Sequence, residues 1–173
     1  ASSGVPLGGI GAGFFDFAAD GRLKNIKLNN TENNYFPGNL DGFLFALWDS
    51  KSGEARRLQR DDTLSLQNGY EHSRYTGLFP TAELELYDSV NQTPIAASIS
   101  AFSPLTAQNV KDSSLPVAFF EVTLTNTTQE AIDASVAFSF EDIIGRGIKE
   151  PESLQEVSSN MITVNGPAWG MLE

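Results

Sequence analysis

The sequence predicts an all-β fold, an antiparallel β-sandwich, on three observations. Short segments alternating apolar and polar residues recur along all 173 positions, and that period of two is the mark of a half-buried strand. Fifteen glycines and eight prolines break the chain into pieces too short for most helices. No long window carries the 3.6-residue apolar stripe of an amphipathic helix. Strand upon strand with regular turns and no crossover helices favours two stacked antiparallel sheets.

Each element follows from local pattern. Residues 14–17 form a short apolar strand closed by Ala19-Asp20-Gly21-Arg22, where Asp-Gly marks a tight turn. Residues 23–28 alternate, with Leu23, Asn25 and Lys27 opposing Lys24, Ile26 and Leu28. Residues 29–34 read as a polar loop, and the apolar run FLFALW, ending at Trp48, as a strand buried on both faces. Residues 55–58 pair back onto it. Glu83, Glu85 and Tyr87 alternate with Leu84, Leu86 and Asp88. Residues 95–102, 117–125 and 134–140 are further strands; in the second, Phe120, Val122 and Leu124 oppose Glu121, Thr123 and Thr125. Residues 161–164 make a last strand. One short helix is expected near 150–157, with Pro151 at its first position.

Composition bounds the rest. Hydrophobic content of 40% and charged content of 19% suit one globular domain spanning 1–173. A net charge of −11 repels phosphate backbones and anionic membranes, so nucleic acid is set aside as a partner. The chain has no cysteine, which removes disulfides and thiolate ligands. No apolar run approaches the roughly 20 residues of a membrane helix. The Ala-Ser-Ser start fits signal-peptide removal, an engineered boundary or proteolysis; the reading leans to an exported bacterial protein, periplasmic or secreted. Three Asn-x-Ser/Thr triplets begin at Asn29, Asn91 and Asn126, a pattern that chance readily produces in a chain rich in Asn and Thr.

Candidate chemistry is sparse. Gly8-Gly9-Ile10-Gly11-Ala12-Gly13 superficially resembles a dinucleotide loop, but such a loop needs a following helix, and Phe14-Phe15-Asp16-Phe17 reads as strand. Backbone packing is the preferred reading, because glycine permits close approach. His72, the single histidine, sits among Glu71, Ser73 and Arg74 in what reads as a solvated loop. Zinc has no His-x-x-x-His pair, calcium no Asp-rich loop, and no cofactor is indicated. Local carboxylate pairs are Asp61-Asp62, Glu83 with Glu85, and Glu141-Asp142. The first reads as a turn, the second as a wet strand face and the third as a strand end. Trp48 reads as core. Trp169, in a Gly-Pro-Ala-Trp-Gly context, is the candidate for stacking on a sugar ring; Tyr35 and Tyr70 in loops, and Tyr75, are alternatives.

Three stretches carry a resemblance. The run AFSPLTAQNVKDSSLPVAFFEVTLTN over residues 101–126, the opening GVPLGGIGAGFFDF over 4–17, and FSFEDIIGRG over 138–147 resemble the N-terminal domain of glycoside hydrolase family 116, the β-glucosidase and non-lysosomal glucosylceramidase family. The third departs from the family's Trp-Glu-Asn, with Phe140 and Asp142 in the outer positions. The resemblance covers nearly the whole chain. It implies a retaining two-carboxylate glycosidase whose catalytic acids lie in a following helical domain, beyond Glu173, so that the sandwich here is incomplete and inactive alone. It also implies that Gly9, Gly11, Gly13, Glu141 and Asp142 sit at the domain interface or the cleft rim, with a β-glucoside as the parent's substrate. A free-standing carbohydrate-binding module and a structural or adhesion sandwich are the alternatives from other classes.

Overall fold

A computed structural model describes residues 4–28, 35–40, 42–60, 68–88, 93–140 and 160–164. All its strand pairings between named strands are antiparallel, and the fold is sandwich-like and all-β. The first sheet comprises β1 (Val5–Leu7), β2 (Gly13–Phe17), β3 (Leu23–Leu28) and β4 (Tyr35–Asn39) in that order. β5 (Leu44–Asp49) and β6 (Ala55–Arg57) belong to another sheet, completed by β11 (Ala134–Phe140) and β12 (Asn160–Val164) in the order β12-β11-β5-β6. Between them in sequence come β7 (His72–Leu78), β8 (Thr81–Tyr87), β9 (Ile95–Phe102) and β10 (Phe119–Asn126), a meander ordered β10-β9-β8-β7. A four-residue helix, α1 (Val110–Ser113), lies in the β9–β10 connection. The helix expected near 150–157 falls outside the described residues.

Alternation builds the core. In β8 every second residue is buried, so Ala82, Leu84 and Leu86 face inward while Glu83, Glu85 and Tyr87 face out. β9 repeats the rule with Ile95, Ala97, Ile99 and Ala101. These meet Val5, Leu7, Phe17, Leu23 and Ile26 of the first sheet and Leu47 of the third in one hydrophobic cluster. Phe120 of β10 joins all three sheets. Its ring centroid lies 6.1 Å from Phe15 and 5.6 Å from Phe17 in the first sheet, and 5.3 Å from Phe45 in the third. Such rings bury large apolar areas and add a geometric preference of their own.

Four expectations are corrected by the structure. β3 does not alternate strictly: Asn25 adopts φ 54° and the register with β2 shifts there, so Leu23 and Ile26 both reach the core. A β-bulge of this kind moves one residue out of the pairing. The Asn25 side chain occupies the irregularity, donating to Asp16 Oδ2 at 2.8 Å and accepting from the Gly38 amide at 3.0 Å. Trp48 is 39% exposed, because Leu47 takes the inward position and the next residue on a strand must face the other way. His72 lies in strand β7 rather than a loop; the strand's outward residues are polar, which conceals the apolar period. Tyr35, Phe36 and Pro37 belong to β4, at the edge of its sheet, where proline is tolerated because no neighbour needs its amide.

Buried carboxylates fasten the turns, Asp20 and Asp88 among them. Asp20 accepts from the Arg22 amide at 3.1 Å and from Lys24 Nζ at 2.7 Å. Asp88 accepts from Arg56 Nη1 at 2.7 Å, and Arg56 also lies 4.3 Å from the centroid of the buried Tyr70 ring. Burial pushes both carboxyls up, but their hydrogen bonds and cationic partners outweigh it and hold both below the ordinary aspartate value of 3.8. Burial also pushes the Tyr70 hydroxyl up to about 12.

Phe120→Ala is expected to cost about 3 kcal/mol of folding stability, read as a fall in the urea midpoint; a loss under about 0.5 kcal/mol would contradict its three-sheet role. Folded values below the unfolded one mean that Asp20 and Asp88 stabilise fully above about pH 4 and lose that contribution as pH falls through their folded values. Asp20→Asn therefore lowers the urea midpoint at pH 7 and flattens its fall below about pH 4.

Candidate functional site

The glycine-rich loop and the β9–β10 connection, far apart in sequence, lie against each other. The loop links β1 to β2, so the helix that a dinucleotide site requires is replaced by a strand. The Gly8 amide donates to Ser103 Oγ at 2.6 Å, and the Ile10 amide donates to the Ser113 carbonyl at 2.8 Å. A Cβ on Gly9 would overlap the Leu115 carbonyl. Gly9 is therefore glycine because backbone from the other segment occupies the space. Gly11, by contrast, has open space around it but φ +79°, a left-handed turn that glycine adopts without strain. Gly13 begins β2.

The facing connection is held by its own hydrogen bonds. The Asn109 side chain caps α1 by accepting from the Asp112 amide at 3.1 Å. Ser113 is 2% exposed; its hydroxyl accepts from the Thr106 amide at 3.0 Å and donates to the Asn109 carbonyl at 2.7 Å. A third segment joins through Ser103, whose amide donates to the Pro80 carbonyl at 3.1 Å. Pro80 lies in the β7–β8 turn. The same turn is tied by Thr81 Oγ1 donating to the Leu78 carbonyl at 2.8 Å. Behind the loop, the Tyr75 hydroxyl accepts from the Val5 amide at 3.0 Å and donates to the Phe17 carbonyl at 2.6 Å; burial raises its pKa.

This rigid end of the domain is apolar outside. Among the described residues, every exposed large apolar side chain except Tyr35, Trp48 and Tyr87 belongs to it. Leu78 is 75% exposed and Phe79 55% at the hairpin tip, and Val110 is 71% exposed on α1. Ile10 projects from the glycine loop, Leu105, Leu115 and Val117 from the facing connection. Phe102 and Phe119 stack at 5.0 Å where β9 leaves and β10 begins. Solvated monomers seldom gather so many apolar side chains in one region, and such patches mark interaction surfaces.

Of the residues singled out in the sequence, Gly9, Gly11 and Gly13 lie at this end, while Glu141, Asp142 and Trp169, as well as Asp61 and Asp62, fall outside the described residues. Glu83 and Glu85 occupy the exposed face of β8. Tyr70 is fully buried, which removes it as a stacking platform, and the half-buried Tyr75 ring packs edge-on against Phe17 at 6.3 Å. Among the described residues no group of three or more His, Asp or Glu side chains could hold a metal ion, and no helix is long and apolar enough to cross a membrane. Sequence reasoning did not find Leu78, Phe79, Ser103 or Ser113. The Leu-Phe-Pro step between two strands was the available signal for the first two.

Gly9→Ala is expected to destabilise the domain by about 1–3 kcal/mol through overlap with fixed backbone, and Gly11→Ala by about 1–2 kcal/mol through turn strain alone. Hydrogen exchange separates them: the Gly9 variant loses protection at the Ser113–Leu115 backbone, and the Gly11 variant retains it.

Comparison with known families agrees with this geometry. A family model described as beta-glucosidase 2, glycosyl-hydrolase family 116 N-term, matches residues 4–172. Comparison with curated proteins gives no match. The match runs from the glycine-rich opening through the connection it packs against, and an N-terminal domain of a glycosidase implies a catalytic domain as its partner. The chain belongs to glycosyl-hydrolase family 116, as its N-terminal domain.

Proposed function

We propose that residues 1–173 act as one non-catalytic domain of a retaining β-glucosidase, of the glucosylceramidase-like kind, that packs on the helical catalytic domain and shapes one wall of its cleft. The observation that carries this reading is the apolar end built by the glycine loop, the β7–β8 tip and the β9–β10 connection. Hydrogen bonds fix its backbone before any partner arrives, which lowers the ordering cost of docking. The bond-breaking carboxylates, about 5–5.5 Å apart in a retaining enzyme, belong to the partner. Glu83 and Glu85, the described local pair, lie exposed on the outer face of β8.

Combined Leu78→Ser and Phe79→Ser substitution tests the reading. Both side chains are exposed, so the melting temperature of the chain alone should hold. In the full-length enzyme each lost anchor should cost about 1–2 kcal/mol of interdomain docking, seen as a lower melting temperature of the catalytic domain and reduced kcat/KM on an aryl β-glucoside. An unchanged full-length enzyme would refute docking through this end.

A further inference from the structure

The β10-β9-β8-β7 sheet turns its inner face to the core, and its outer face carries a second feature that the docking end does not explain. A groove of about 350 Å³ lies there. Tyr87, Glu85 and Arg74 line one side, Thr123 and Thr125 the other, with Ala96 and Ser98 between them. Strand register places these groups in rows across the sheet. Arg74 pairs with Glu85, Glu85 with Ser98, and Ser98 with Thr123. In the adjacent row His72 pairs with Tyr87, and their rings lie 5.4 Å apart. Tyr87 is 45% exposed, so part of its ring is open to a ligand beside the groove.

We propose that this groove binds a neutral β-linked oligosaccharide, at a site separate from the bond-breaking centre. The chemistry of the lining selects that class. An exposed phenol ring offers an apolar face with a polar rim, the complement of a sugar ring's alternating C–H and hydroxyl surfaces. Arg74 donates to Glu85 Oε2 at 3.2 Å, with 70% and 56% of the two side chains exposed. A solvated pair of that kind has donor and acceptor capacity to spare for neighbouring hydroxyls. Thr123, Thr125 and Ser98 add hydroxyls that can donate or accept. Polyanions fit poorly: the same face carries Glu83, Glu85 and Glu121, and the whole chain has a net charge of −11. A β-strand partner would bind at a sheet edge, whereas this groove lies across the sheet's face. The β linkage is the one that members of this glycosidase family carry in their description.

Titration of the purified chain with cellotetraose and laminaritetraose, followed by calorimetry and by amide NMR shifts, tests the proposal. Binding with Kd of about 1 mM or tighter is expected, with shifts confined to residues 72–74, 85–87, 96–98 and 123–125. Tyr87→Ala removes the stacking ring and Ser98→Tyr fills the groove; at least one of them, with its melting temperature unchanged, should weaken binding tenfold or more. Absence of binding by both oligosaccharides, or binding that survives both substitutions undiminished, would overturn it. None of these residues lies at the docking end, so failure here leaves that reading standing.

Discussion

The contact of Phe120 with Phe15, Phe17 and Phe45 is the constraint on which the remaining architecture depends. Apart from a few backbone hydrogen bonds between connecting segments, such as Ile10 N–H to the Ser113 carbonyl and Arg60 N–H to the Asp20 carbonyl, the three four-stranded sheets share no strand-to-strand ladder to define their mutual placement. Side-chain packing must do so, and one ring touching two other sheets fixes relative position more strongly than scattered aliphatic contacts, because aromatic pairs prefer particular geometries. Phe120 also sits one residue into β10, directly after the long connection that meets the glycine loop. Holding that ring therefore sets where the connection begins.

From that anchor the apolar end follows. Sheet placement brings the β1–β2 loop beside the β9–β10 connection, and the absence of a side chain at Gly9 lets the two backbones meet. Buried Ser103 and Ser113 then satisfy polar groups that a tight backbone contact would leave without water; unsatisfied, such groups are costly. The consequence is a stiff platform with apolar side chains pointing away from the domain's own core. Membership in a glycosidase N-terminal family implies a catalytic domain as partner, and an exposed apolar surface of that kind is the sort that meets a neighbour.

Much of the fold was legible because alternation reports burial directly. β8, β9, β10 and β11 were all found, since one face of each is apolar and the other polar, and residues 134–140 were placed with both ends correct. β7 was missed because its outward side chains, His72, Arg74 and Thr76, and its inward Ser73 leave little apolar contrast. β4 was hidden by Pro37 and Gly38, which read as a break but are compatible with an edge. The bulge at Asn25 escaped because nothing local distinguishes it; its positive φ is sustained by Asp16 and Gly38 from two neighbouring strands. As for the site, the glycine loop was legible as a place of close backbone approach, but its partner was not, since a contact between residues 9 and 115 leaves no periodic trace. Exposed Leu78 and Phe79 were invisible for a related reason: a sequence shows that a residue is apolar, and only the fold shows that it is uncovered.

Differential hydrogen exchange between the isolated chain and the full-length enzyme tests the central claim most directly. The account predicts added protection at residues 8–12, 78–81 and 103–118 in the full-length protein, with little change along β3 and β4. Equal exchange in the two forms across those three segments, or new protection confined to the opposite end of the sheets, would contradict it.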